Sequence, residues 1–254
     1  MGRIIAVVNQ KGGVGKTTTA VNLSASMAKL GKRILVVDID PQGNTTSGLG
    51  IDVKKLEYTT YHVIIDKTDI SKAVIKTDYK NLFICPSDIH LAGSEVELVE
   101  MEKREYKLKN ALDKVKNEYD YIFIDCPPAL SLITVNALTA ADSAIIPVQC
   151  EYYALEGLSR LIQTIKKIKY ELNPGFDIEG VLLTMFDTRT NLSIMVADEV
   201  KKYFPKKVYK TVIPRNVRLS EAPSYGQPIT EYDPHSRGAD CYMDLAREVD
   251  KRER

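Results

Sequence analysis

Arg3-Ile4-Ile5-Ala6-Val7-Val8, followed directly by Asn9-Gln10-Lys11-Gly12-Gly13-Val14-Gly15-Lys16-Thr17-Thr18-Thr19, is the stretch on which the fold turns. An apolar, β-branched run stops at a polar asparagine, a glycine-rich turn follows, and a helical pattern through Ala20, Leu23, Met27 and Leu30 starts behind it. Glycines let the chain curl until successive backbone N–H groups face one anion, where a Cβ would block the approach. The N-terminus of the following helix adds the positive end of its dipole. Lys16 brings a full charge to β- and γ-phosphates, and the Thr17 hydroxyl stands where it can ligate Mg²⁺. Lys11, Gly12, Gly13, Val14, Gly15, Lys16, Thr17 and Thr18 therefore read as a P-loop for ATP and Mg²⁺.

The usual spacing GxxxxGK[ST] asks for glycine where this chain has Gln10, and Lys11 stands at the start of the loop instead. Two lysines around one triphosphate exceed what a single subunit needs. A physical use for Lys11 is to reach a nucleotide held by a second copy.

Outward from the loop, further apolar runs read as strands at 33–37, 82–85, 121–124, 143–148, 180–185 and 208–213, besides 3–8. Most are apolar on consecutive residues, as parallel strands covered on both faces are. Leu155, Leu158, Leu161, Ile165, Ile168 and Leu172 recur at helical spacing before Asn173-Pro174-Gly175. The segment 94–118 reads as a surface helix, with Ser94 and Glu97 as a capping box and Glu100 and Arg104 spaced as a pair. Strands alternating with helices imply one α/β domain over 1–254, a doubly wound, mostly parallel sheet flanked by helices, of P-loop NTPase type. Ligands bind beyond the carboxyl ends of such strands. Acids occur there, in Asp38-Ile39-Asp40-Pro41-Gln42-Gly43 and in Asp125-Cys126-Pro127-Pro128. Asp125 suits a magnesium-bound water, Asp40 suits orienting the attacking water from a movable turn, and Asp38 suits supporting the lysines and metal from behind. Cys126 reads as a small buried residue.

The bulk properties narrow the partners. Net charge is +1 over 254 residues, so no global field draws the chain to nucleic acid or membrane. No apolar run reaches the roughly 20 residues of a membrane span. Cys85, Cys126, Cys150 and Cys241 show no CxxC spacing, and the three histidines form no metal motif. A cytoplasmic protein with reduced thiols is expected.

Taken together, these residues closely resemble the ParA/MinD superfamily of deviant P-loop ATPases, and within it the ParA/Soj partitioning proteins. The resemblance rests on KGGVGKTT at 11–18, DIDPQG at 38–43, DCPP at 125–128, PVQCEYYALEGL at 147–158, LTMFDTR at 183–189 and VIPRNVRLSEAPSYG at 212–226. It implies an ATP-driven homodimer in which Lys11 contacts the nucleotide of the other subunit and Gly12 lies near the interface. It implies that Pro214 and Asn216 line an adenine pocket, and that the dimer binds double-stranded DNA without sequence preference. A ParB-type centromere-binding protein then stimulates hydrolysis, and the molecule is nucleoid-associated.

A local basic patch fits that expectation. Between Arg189 and Arg218 stand eight basic residues and two acids, Asp198 and Glu199, a net of +6 in a chain whose total is +1. Such charge with few base-reading groups suits phosphate contacts. Arg189 and Arg218 match positions that the family uses, and Lys201, Lys202, Lys206 and Lys207 extend the patch. The rival reading, a MinD-like membrane switch, needs a basic amphipathic tail; residues 245–254 mix both charges without a long apolar face. A reductase on this scaffold asks for closely placed bridging cysteines, a ligase for an acceptor pocket, and a tyrosine kinase for a tyrosine-rich tail.

Overall fold

The computed structural model describes residues 2–151 and 154–252. Seven strands, β1 (Arg3–Val7), β2 (Ile34–Asp38), β3 (Ile75–Lys76), β4 (Leu82–Cys85), β5 (Tyr121–Asp125), β6 (Ser143–Gln149) and β7 (Asp177–Thr184), form one sheet in the order β3-β4-β2-β5-β1-β6-β7. Every pairing is parallel except β3 with β4.

The consecutive apolar residues have two destinations because side chains alternate across a strand. Ile5, Val7, Ile34, Val36 and Phe123 face the helices Lys16–Lys29 and Arg237–Lys251, meeting Leu23, Met27, Tyr242 and Leu245. Ile4, Ala6, Leu35, Val37 and Ile124 face the opposite layer, built from Leu108 and Leu112, Ile133 and Ala137, and Leu158, Leu161, Ile165 and Ile168. These come from the helices Lys107–Val115, Leu132–Ala140 and Ala154–Glu171. The sheet order sets the site. β1, β5 and β2 are neighbours, and their last residues Val7, Asp125 and Asp38 stand level with one another.

Three local expectations change. Residues 208–213 are not a ladder strand. They touch the outer edge of β7 only at bridges, with Tyr209 N–H donating to the Val181 carbonyl at 3.0 Å and Ile213 N–H to Leu183 at 2.9 Å. Between these bonds, the N–H groups of Lys210 and Thr211 turn to the Glu248 carboxylate at 2.9 and 3.0 Å.

The segment 94–118 is not one helix. It divides into Ser94–Val99, Lys107–Val115 and flanking single turns, because Lys103 takes a left-handed φ of 50° and Arg104 caps the Val99 carbonyl at 2.8 Å. The capping box is absent as well: buried Ser94 donates to the Leu91 carbonyl, and Glu97 accepts from the Tyr61 hydroxyl. Arg104 pairs with Glu105 rather than Glu100. β3 is the third difference, too short to signal itself. No helix among the described residues is long and apolar enough to cross a membrane.

Candidate nucleotide site

The loop after β1 is held open by two glycines in the left-handed region, Gly13 at φ 72° and Gly15 at φ 88°. A Cβ at Gly12 or Gly13 would meet no atom within 4 Å, so both face open space. Gly15 is also the residue before the helix Lys16–Lys29, whose first turn carries no acid. Asn9 braces the entry, donating to the Pro147 carbonyl at 2.7 Å and accepting the Lys11 N–H at 3.0 Å. Thr184, at the end of β7, fixes the far side by donating its hydroxyl to the Val14 carbonyl at 2.8 Å.

Lys16 is 7% exposed and donates to the Lys11 carbonyl at 3.2 Å. Burial lowers its pKa, and the negative charge of Asp125 is the largest influence opposing that shift. Asp125 accepts two hydroxyls on one oxygen: Thr17 Oγ1 at 2.8 Å and Thr45 Oγ1 at 2.7 Å both reach Oδ2. Its Oδ1 is buried without a hydrogen-bond partner. Such an orphaned charged acceptor is costly unless a ligand uses it.

Asp38 is fully buried and holds the adjoining turn. Its Oδ1 accepts the Asp40 N–H at 3.1 Å, and its Oδ2 accepts the N–H and hydroxyl of Thr46 at 2.9 and 2.7 Å. It therefore supports Asp40 and the helix Asn44–Gly48, and none of these bonds runs to Lys11 or Lys16 as the sequence reading expected. Burial raises the pKa of both Asp38 and Asp125, and the charge of Asp125 raises Asp38 further. Asp40 is 8% exposed and caps its own turn by accepting the Gln42 N–H at 3.0 Å. Cys126 is buried with its thiol pKa pushed up by desolvation, which suits packing and not nucleophilic attack.

These groups surround two adjoining cavities. One, of about 380 Å³, is lined by Gly12, Gly13, Lys16, Thr17, Asp40 and Asn44 among others. The second, of about 400 Å³, takes in Pro214, Asn216, Ile213, Leu219 and Tyr242. Gly15, Thr18 and Met185 line both. Asn216 caps the next helical turn through Oδ1, which accepts the Leu219 N–H at 3.3 Å. A glycine-lined chamber carrying Lys16, Thr17 and Asp40, joined to one that takes in Ile213, Pro214 and Leu219, matches the two ends of a nucleotide. The oxygen donors Thr17 and Asp125 fit a hard cation such as Mg²⁺.

Lys11 points elsewhere. Its ammonium pairs with Glu151 at 2.8 Å, and Glu151 also accepts from the Gln149 amide. Within one chain the second loop lysine is thus parked at the rim.

The basic segment is present but balanced. Arg189, 87% exposed along its side chain, makes a bidentate pair with Asp187; Arg218 pairs with Glu221 and Asp233. Lys207 pairs with Asp177, Lys201 with Asp198 and Lys202 with Glu199, while Lys206 is exposed. Four of these acids (Asp177, Asp187, Glu221 and Asp233) lie outside the window in which the charge was counted, so the local excess is smaller than sequence suggested.

Sequence reasoning missed Thr45, Thr184, Met185 and Glu151. Thr45 had a signal, a hydroxyl directly after the DIDPQGN turn. Met185 had none: its left-handed φ of 48° appears only in three dimensions.

Comparison with known proteins accords with this geometry. Residues 2–178 match the AAA domain family AAA_31. The chain is 62% identical over 249 residues to the sporulation initiation inhibitor protein Soj of Bacillus subtilis, covering 98% of each. It is 53% identical over 253 residues to the chromosome partitioning protein ParA of Myxococcus xanthus, covering 100% of this chain and 89% of that one. Among solved structures, a cobyrinic acid a,c-diamide synthase from Mycobacterium smegmatis with bound ADP and magnesium superposes with a TM-score of 0.87 at 36% identity, covering 100% of this chain and 96% of that one. The cell division ATPase MinD of Pyrococcus furiosus gives 0.82 at 28%, covering 99% of each. The chain belongs to the ParA/Soj family within the ParA/MinD superfamily.

Proposed function

We propose that the chain is an ATP-dependent dimerising switch that binds double-stranded DNA without sequence preference and acts with a ParB-type centromere-binding partner in chromosome or plasmid partitioning. The observation that carries this reading is the division of labour between the two loop lysines. Lys16 is buried beside Asp125, whereas Lys11 is held at the rim by Glu151. A lysine held at the rim of its own subunit stands where it can serve a facing one. The names and near-complete coverage of the Soj and ParA relatives support the partitioning role. The neighbours bound to ADP or an ATP analogue with magnesium support the ligand.

In this reading the loop N–H groups and Lys16 hold the β- and γ-phosphates, and Pro214 and Asn216 receive the base. Thr17 directly, and Asp125 through a water, would hold the metal. Magnesium, when bound, neutralises charge on the β- and γ-oxygens. Asp40 orients a water for in-line attack on the γ-phosphorus, and ADP and phosphate leave. Asp38 acts one step back by fixing the Asp40 turn. Basal hydrolysis is slow and the partner raises it.

Arg189, Arg218, Lys201, Lys202, Lys206 and Lys207 supply the DNA face, and the protein works in the cytoplasm on the nucleoid. A membrane role is disfavoured because Leu245, Ala246 and Val249 of the last helix are buried in the fold and present no apolar stripe.

The test is retention on random-sequence duplex DNA with ATP or ADP. Retention with ATP alone, lost in Lys16→Ala, is expected. Equal retention with both nucleotides contradicts the switch.

A further inference from the structure

The arginines of the proposed DNA face are already occupied. Asp187 accepts from Arg189 Nε at 2.9 Å and from Nη2 at 2.7 Å, the planar two-point geometry that a phosphate would also offer. Asp187 is itself fixed. Its Oδ1 accepts the Arg189 backbone N–H at 3.0 Å, and its carbonyl accepts the Thr190 N–H at 3.2 Å, just beyond the end of β7. Arg215 also acts on Asp187 electrostatically. At Arg218 the arrangement recurs. Glu221 accepts from Nη1 at 2.9 Å and is steadied by the Tyr232 hydroxyl at 3.2 Å, while Asp233 stands 3.4 Å from Nε.

We infer that Asp187 and Glu221 are affinity-setting residues of the DNA face: resident counterions that DNA phosphates must displace from Arg189 and Arg218. This rests on the DNA-binding reading above and goes beyond it. A phosphate approaching Arg189 gains one charge-assisted pair only by breaking another, and it also meets the Asp187 carboxylate at close range. Both effects hold non-specific affinity below what the cations alone would give. A partitioning switch needs release as much as capture, and such counterions keep the bound state shallow. The positions also explain why counting charges between Arg189 and Arg218 overstates the patch, since Asp187 lies two residues before that window and Glu221 three residues after it.

The experiment measures binding of the ATP-loaded protein to random-sequence duplex DNA at moderate salt for Asp187→Asn, Glu221→Gln, Arg189→Glu and a distant control, Asp113→Asn. Asp113 is an exposed acid on the helix Lys107–Val115 that pairs with Lys109. Asn and Gln keep an acceptor oxygen for the Arg189 N–H and the Tyr232 hydroxyl, so the turns persist; thermal melting verifies this. Asp187→Asn and Glu221→Gln should each tighten binding by about twofold to fivefold, the span of an exposed ion pair, with Asp113→Asn unchanged. Unchanged affinity in both variants overturns the inference, as does equal tightening by Asp113→Asn, which would reduce the effect to net charge. If Arg189→Glu binds DNA like wild type, the assignment of that arginine to the face fails and the role of Asp187 falls with it. Loss in Arg189→Glu without gain in Asp187→Asn leaves the DNA face standing and removes only the counterion.

Discussion

Thr17 donates its hydroxyl to Asp125 across 2.8 Å, on the same oxygen that Thr45 reaches at 2.7 Å. This pins a buried carboxylate with one oxygen committed to the protein and the other, Oδ1, left over. Removing the Thr17 hydroxyl takes away both the proposed metal ligand and a brace on Asp125. Thr17→Ala should lower magnesium-dependent ATP turnover by about 10–100-fold, the usual cost of losing a group that orients a metal site. Thr45→Val keeps the shape and removes only the brace, and a rise in the magnesium concentration needed for half-maximal turnover is expected.

Lys16 and Lys11 should separate cleanly. Lys16→Ala removes a buried charge from the phosphate chamber, and ATP affinity should fall by about 10–100-fold, as for one charged hydrogen bond. Lys11→Ala removes a side chain that pairs with Glu151 at the rim. Single-chain nucleotide binding should stay within about twofold of wild type, while ATP-dependent dimerisation is lost. Calorimetry and light scattering on the same samples check both halves.

Asp38 and Asp125 give a pH dependence with a definite sign. Burial raises both carboxyls above their ordinary range near pH 4, so the folded, nucleotide-free protein holds protons that the unfolded chain releases. Their contribution to stability is complete below that ordinary value and is lost as pH rises through the raised values toward neutrality. In chelator, the melting temperature of wild type should carry a downward component over that window that Asp38→Asn weakens. An identical pH profile in the variant contradicts this.

Gly226 takes φ 63°, and a Cβ there would stand 2.8 Å from the Gly50 Cα. It joins the segment bearing Pro214 and Asn216 to the turn after the helix Asn44–Gly48. Gly226→Ala should cost about 1–3 kcal/mol through strain and overpacking. That corresponds to about 2–4 °C in melting temperature per kcal/mol for a chain of this size. ATP affinity should fall along with it.

The glycine-rich loop, the acids at the ends of β2 and β5 and the parallel sheet were legible because each is written locally: glycines beside a lysine, or a carboxylate ending an apolar run. What escaped depends on contacts distant in sequence. Residues 208–213 look like a strand, yet Glu248, far along the chain, takes the N–H groups of Lys210 and Thr211. The helix expected at 94–118 breaks at a left-handed Lys103, a position no propensity marks. Asp38 looked like a partner for the lysines, but Thr46 lies eight residues on and supplies two donors. The counterions of Arg189 and Arg218 were in plain view, and only their pairing was hidden.

All of this converges on whether two chains close around ATP. Sedimentation of Asp40→Ala with ATP and Mg²⁺ measures it directly, since the proposed role of Asp40 predicts that turnover is blocked and the closed state accumulates. A stable dimer with ATP and a single chain with ADP is the predicted result. A single chain under both conditions would contradict the switch, and only the nucleotide site would remain.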